Sequence, residues 1–177
     1  MKIGDKAVSF SLQGVDGKTY SLESFAGKKA LVVIFSCNHC PYAQAYEDRM
    51  IALQKEFADK GAQFVLINSN DDTSYPEDGF DEMVKRSHAQ GYNFPYLRDE
   101  SQEIAKGYAA VRTPHIYVFD AERKLAYTGK IDDSWDHPEN VKERYLRDAL
   151  AAITQGQKPK EAETFAIGCT IKWKRAA

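Results

Sequence analysis

Two cysteines at a C-x-x-C spacing, Cys37 and Cys40 in the run Cys37-Asn38-His39-Cys40-Pro41, follow directly on the apolar run Ala30 to Phe35. Thiols at that spacing close or open a small disulfide ring with little movement, as a reversible redox switch requires. Leu31, Val32, Val33, Ile34 and Phe35 read as a fully buried strand, and Tyr46, Met50, Leu53 and Phe57 recur at helical spacing beyond the thiols. Pro41 suits a first helical turn, where its missing N–H would have had no partner. The dithiol is therefore expected at a helix N-terminus, where unpaired N–H groups and the helix dipole favour the thiolate that attacks a disulfide or a peroxide. His39, as imidazolium, would stabilise a neighbouring thiolate and make the disulfide more oxidising, provided its side chain turns that way.

A C-x-x-C pair is also found as half of a zinc site, which asks for four ligands. Only Cys169 and scattered histidines remain to supply the others. Redox use is the expectation, with the dithiol as its own cofactor and no bound metal. A protein holding zinc or cuprous copper through Cys37, Cys40, His39 and Cys169 is the reading from another class.

The rest of the chain must place these residues. At 177 residues, 43% hydrophobic and 12% aromatic, it has the length and core of one α/β domain. A net charge of -2 from 24 basic and 26 acidic residues gives no field to gather nucleic acid or an anionic membrane. Met1 to Leu12 has no apolar signal core, no later run approaches membrane-spanning length, and three cysteines are an odd count. A cytoplasmic protein without nucleic-acid or membrane partners is expected.

Ser9 to Leu12 and Thr19 to Leu22 alternate around Gly14-Val15-Asp16-Gly17, an N-terminal hairpin within an extension over 1–29. Gly61 ends the catalytic helix, and Phe64 to Ile67 forms the next strand of a right-handed βαβ unit. The polar loop after that strand lies on the same sheet edge as Cys37, so Asn68, Asn70 and Asp71 either line the site or serve only as turn and capping residues. Phe80, Met83, Val84 and Ser87 mark a helix, and Asp99 with Gln102 resembles a capping box before another at Ile104, Ala105 and Tyr108. Thr113-Pro114 leads into strands His115 to Asp120 and Leu125 to Lys130, antiparallel because the turn between them is short. Val141, Tyr145, Leu146, Ala149, Leu150 and Ile153 define a last helix, ended by Gly156 and Pro159.

This order, with Cys37-x-x-Cys40-Pro41 at a helix start and Thr113-Pro114 before a hairpin, resembles the thioredoxin fold: α/β, a central mixed β-sheet flanked by helices, with an N-terminal β-hairpin extension. Ile3-Gly4-Asp5 and Val15 to Leu22 are similar to the redoxin branch that includes TlpA-like and peroxiredoxin-like proteins, and the likeness covers nearly the whole chain as one domain, 1–177. Cys37 to Tyr42 together with Ile167-Gly168-Cys169-Thr170-Ile171-Lys172-Trp173 resembles a small bacterial group of thioredoxin-like proteins. The resemblance implies a thiol-disulfide oxidoreductase with Cys37 as exposed attacking thiolate and Cys40 as resolving thiol. Pro114 would be the cis-proline facing them, and the Thr113 backbone would grip an extended substrate by strand-like bonds. Substrates would be disulfide-bearing proteins, small disulfides or peroxides, served by an electron donor the sequence does not identify.

Two departures stand out. Ser36 replaces the tryptophan that thioredoxin has before its first cysteine, and Leu31 to Phe35 lack its buried acid, leaving His39 or a carboxylate of the Asp71 loop as proton acceptor. The alternative enzyme is a peroxidase with Cys40 as peroxidatic cysteine, since Cys40-Pro41 fits that pattern. Val33 stands where its upstream proline would be, and Arg112 is the candidate for its arginine. Cys169 lies in the tail 157–177, either as a buried small hydrophobe or, if it reaches the site, as a third thiol. Asp132, Asp133 and Asp136 lie in an acidic loop that reads as a solvated, aromatic-anchored insertion rather than a calcium site, and Lys172, Lys174 and Arg175 read as a soluble tail.

Overall fold

The computed structural model describes residues 1–175. Seven strands form one mixed sheet in the order β2-β1-β5-β4-β3-β7-β8: β1 (Ser11–Gly14), β2 (Thr19–Ser21), β3 (Ala30–Phe35), β4 (Ala62–Asn68), β5 (Tyr96–Arg98), β7 (His115–Phe119) and β8 (Leu125–Gly129). β3 runs parallel to β4 and antiparallel to β7, which places it at the centre with every residue buried. A strand covered on both faces has no use for alternation, hence its unbroken apolar sequence. Val32 and Ile34 face a core closed by helices α1 (Pro41–Phe57), α2 (Phe80–Gln90) and α4 (Tyr145–Ile153). Leu31, Val33 and Phe35 face a second core with helix α3 (Glu103–Gly107), Phe10, Phe25 and the tail residue Ile171. No described helix is long and apolar enough to cross a membrane.

α1 buries Tyr46, Met50, Leu53 and Phe57, then tightens into a 3-10 turn that Gly61 ends at φ +92°. The N-terminal hairpin is not a separate appendage, because β1 pairs antiparallel with β5 and extends the main sheet. The last helix starts at Tyr145, with Val141 in extended backbone ahead of it. Before α3 no reciprocal capping box forms. The Asp99 carboxylate accepts from the amides of Ala105 and Ile104 at 3.0 and 3.4 Å, while the Gln102 amide group turns to the tail. Two further strands, β6 (Arg112–Thr113) and β9 (Cys169–Thr170), pair antiparallel as a small second sheet that fastens the tail beside the dithiol. Of the tail 157–177, residues 176–177 lie outside the described residues.

Candidate active site

Cys37 follows β3 in a loop, and Cys40 is the N-cap of α1 with Pro41 at the first helical position. Both thiols are free and buried, at 1% and 0% exposure. The resemblance implied an exposed Cys37; that sulfur is instead enclosed. Thr113, itself buried, spans the pair: its hydroxyl lies 3.6 Å from the Cys37 sulfur, and its carbonyl accepts from the Cys40 thiol at 3.3 Å. The Thr113–Pro114 peptide is cis.

The two thiols differ electrostatically. Hydrogen bonding from Cys37 holds the Cys40 thiol well below the ordinary range, with Cys169 and the amide of Ala43 adding to the effect. The Cys40 sulfur makes no close cap hydrogen bond, so that amide acts at longer range, as the field of a helix terminus does. Cys37 is pushed the other way by the same hydrogen bond, by burial and by the carboxylate of Asp78. Of the two, Cys40 is the thiol favoured to ionise, and on ionising it gives up the bond it donates to the Thr113 carbonyl.

Asp78 is the residue the sequence did not reveal. It is fully buried in the turn before α2. Its carboxylate accepts from the Asn38 amide at 2.6 Å, from the side chains of Asn70 at 3.0 Å and Asn68 at 3.3 Å, and contacts His39 Nδ1. The signal was hidden, because acidic residues ahead of a helix read as capping chemistry. Asn38 is bonded on every side: its own amide group donates to the Glu77 carbonyl, and it accepts from Tyr96 at 2.8 Å and Gln44 at 2.7 Å. His39 stacks on Tyr75 at 5.4 Å and turns toward Asp78, with Glu77 at 3.9 Å. Asn68 and Asn70 thus hold the carboxylate that faces Cys37. Asp71 does not reach the thiols; it caps the amides of Thr73 and Ser74 at 3.1 and 3.3 Å.

The Cys37 sulfur, His39 Nδ1 and an Asp78 oxygen lie within 4.8 Å of one another, a trio with the donor types of a zinc site. The Asp78 oxygens are already engaged by Asn38, Asn68, Asn70 and His39, however, and Cys40 stands outside the trio. Asp132, in the acidic loop, accepts from Tyr46 and Arg49 at 2.7 Å each and is a structural anchor. Trp135 packs on Tyr42 with centroids 4.1 Å apart, the aromatic anchor of that loop.

Cys169 does reach the site. It packs, as Tyr42 does, against the cluster of Cys37, Cys40 and Ala43, and β9 places it opposite Thr113. The backbone edge at Thr113, expected to receive an extended substrate, is therefore filled by the chain's own tail. Nor are Lys172 and Lys174 a loose end. The Lys172 carbonyl accepts from the Asp71 amide and Gln102 at 2.8 and 2.9 Å, its amide donates to Asn70, and the Lys174 amide donates to Gln102. Gln102 thereby ties the tail to the site, a role that a capping-box reading does not contain.

The model of the AhpC/TSA family matches residues 3–128. The chain belongs to the AhpC/TSA family. Among solved structures, an uncharacterized conserved protein from Geobacillus kaustophilus is 42% identical with a TM-score of 0.93, over 99% of this chain and 94% of that one. A hypothetical protein from Sinorhizobium meliloti 1021 is 35% identical with a TM-score of 0.92, over 99% and 97%. A relative named thiol-disulfide oxidoreductase ResA, from Bacillus thuringiensis subsp. konkukian, is 26% identical over 127 residues, 71% of this chain and 68% of its own length. The fold of this AhpC/TSA protein is thioredoxin-like.

Proposed function

We propose that this AhpC/TSA protein is a thiol-disulfide oxidoreductase that cycles between a Cys37/Cys40 dithiol and its disulfide. The observation that carries the reading is the placement of both sulfurs against Thr113 at the head of α1, with one ionised in preference to the other. When Cys40 ionises, the Cys37 S–H supports its thiolate, and oxidation joins the two sulfurs. Two electrons and the Cys37 proton leave the pair, the electrons reducing a substrate disulfide to its thiols. His39 is the group beside Cys37 able to take that proton, since the Asp78 oxygens are engaged by other donors. The substrate class is a disulfide, in keeping with the ResA-named relative.

One observation favours a second reading, peroxide reduction at Cys40. Cys40 is the sulfur favoured to ionise, and it stands at the helix N-cap directly before Pro41. Mixing the reduced protein separately with hydrogen peroxide and with a model disulfide, and mapping the cysteines formed, separates the two. Reaction with the disulfide ending in a Cys37–Cys40 bond is the expected result. Peroxide reacting far faster than with a free thiolate, through a sulfenate on Cys40, would replace it with the peroxidase.

A further inference from the structure

Three thiols, not two, meet at the head of α1. Cys169 belongs to the same cluster as Cys37 and Cys40, and only Cys169 of the three is partly open to solvent. Its position is fixed from several directions. β9 pairs it with Thr113, the residue that touches both other sulfurs. Gly168 lies so close to β6 that an added Cβ would stand 2.1 Å from the Thr113 carbonyl oxygen and 2.6 Å from its carbon. On the other side Ile171 is buried in the core, and its amide donates to the Val111 carbonyl at 3.0 Å. A cysteine meant only to fill space has no need of a glycine before it and an anchored strand after it.

We propose that Cys169 is the third redox thiol of this site: it exchanges with the external disulfide, forms a disulfide with Cys40, and hands that bond inward to Cys37–Cys40. The proposal rests on the oxidoreductase reading and deepens it by naming the point of entry. The buried dithiol has no open face of its own, and the Thr113 edge is taken, so the partly exposed sulfur is where a substrate meets the site.

The steps balance. The Cys169 thiolate attacks an external disulfide X–S–S–Y, releasing Y as its thiolate and leaving X–S–S–Cys169. The Cys40 thiolate then attacks the Cys169 sulfur, releasing X as its thiolate and forming Cys40–S–S–Cys169. Cys37 gives up its proton and attacks the Cys40 sulfur, and Cys169 leaves as thiolate and takes up a proton. The net result is one dithiol oxidised and one external disulfide reduced to two thiols. In the reverse direction Cys169 attacks the Cys40 sulfur and Cys37 leaves; Cys40 then leaves as the external thiolate attacks Cys169, and its preference for the thiolate makes it a good leaving group in that step. Cys169 is a weak attacker by comparison, because burial and the neighbouring Cys40 raise its thiol, so its own first exchange sets the pace.

The experiment uses oxidised glutathione as the external disulfide, with acid quenching and peptide mapping over time. In the wild-type protein a Cys40–Cys169 bond is expected to rise before the Cys37–Cys40 bond replaces it. The Cys37→Ser protein is expected to lose both remaining thiols, end with Cys40–Cys169, and retain no glutathione. In Cys169→Ser the Cys37–Cys40 bond is expected to form at least tenfold more slowly. Wild-type and Cys169→Ser proteins oxidising at the same rate to Cys37–Cys40, with no Cys40–Cys169 peptide at any time, would overturn the proposal while leaving the oxidoreductase standing. No wild-type reaction with the disulfide at all would remove the oxidoreductase reading, and this proposal with it.

Discussion

Gly168→Ala is the substitution whose consequence follows most directly from the geometry. The new Cβ would fall 2.1 Å from the Thr113 oxygen, 2.6 Å from its carbon and 3.2 Å from the Pro114 nitrogen, all backbone atoms that no rotamer change can move aside. Relief needs β9 to shift by roughly 1 Å, and forcing a methyl into a filled site costs typically about 1–3 kcal/mol. Full detachment of the strand sets a ceiling on the local effect. It would expose Ile171, worth about 2–3 kcal/mol, and break the bonds from Val111, Asn70, Asp71 and Gln102 to the tail, each about 0.5–1.5 kcal/mol net. A shifted strand is therefore cheaper than a free one, and the expected loss is about 2–3 kcal/mol. For a chain of 177 residues that lowers Tm by roughly 5–10 °C. Because Cys169 rides on the same strand, its alkylation rate in the folded protein is expected to rise as well. Differential scanning calorimetry and timed alkylation with mass mapping read the two effects. An unchanged Tm with unchanged Cys169 reactivity would mean that β9 is not held against Thr113, and the account of the tail would fall.

Two more expectations follow from the charged groups. Asp78→Asn removes the charge that, after hydrogen bonding to Cys40 and burial, disfavours the Cys37 thiolate; a fall of about one pKa unit makes that thiolate roughly tenfold more abundant below its pKa. The pH profile of the conversion of Cys40–Cys169 into Cys37–Cys40, the step in which Cys37 attacks, is expected to move to lower pH, and stability to fall by about 1–3 kcal/mol as an amide meets the donors of Asn38, Asn68 and Asn70; an unmoved profile for that step would take Asp78 out of the site. Burial, with the N-terminal ammonium and Arg112, depresses His115 from 6.5 to about 4, while its Nδ1 accepts from the Val111 amide at 3.3 Å. The unfolded chain then binds the extra proton first, so this contribution is intact above about pH 6.5, fades as pH falls toward 4, and amounts to roughly 2–3 kcal/mol. Urea denaturation from pH 7 to 4 is expected to show that slope in the wild type and a shallower one in His115→Asn, and parallel slopes would refute the assignment.

The architecture was legible where one physical signal fixes an element. The unbroken apolar run at Leu31 to Phe35 requires a strand covered on both faces, and β3 lies between β4 and β7. The 3.6-residue spacing of Tyr46, Met50, Leu53 and Phe57 placed Cys40 and Pro41 at the start of α1. Short turns made β1 with β2, and β7 with β8, antiparallel. Boundaries slipped where a local pattern had two meanings: Val141 continues the periodicity of α4 but stops short of the helix, and Asp99 with Gln102 matches a capping box that does not close.

The sequence by itself determined that a dithiol stands at the mouth of a parallel βαβ unit, because strand, thiols and helix are neighbours along the chain. Which thiol ionises more readily was decided only in three dimensions. Local spacing offers both sulfurs the same helix terminus, whereas the folded chain sets Cys40 at the N-cap and brings a distant carboxylate, Asp78, beside Cys37. The place of Cys169 was likewise beyond local reading. A two-residue strand has no periodicity to recognise, and its register opposite Thr113 comes from a glycine that lets two backbones meet and from Asn70, Asp71 and Gln102, side chains and amides gathered from two separate loops. Pairing across that many residues is a property of the packed chain, where contacts far apart in sequence supply the specificity that neighbouring residues cannot.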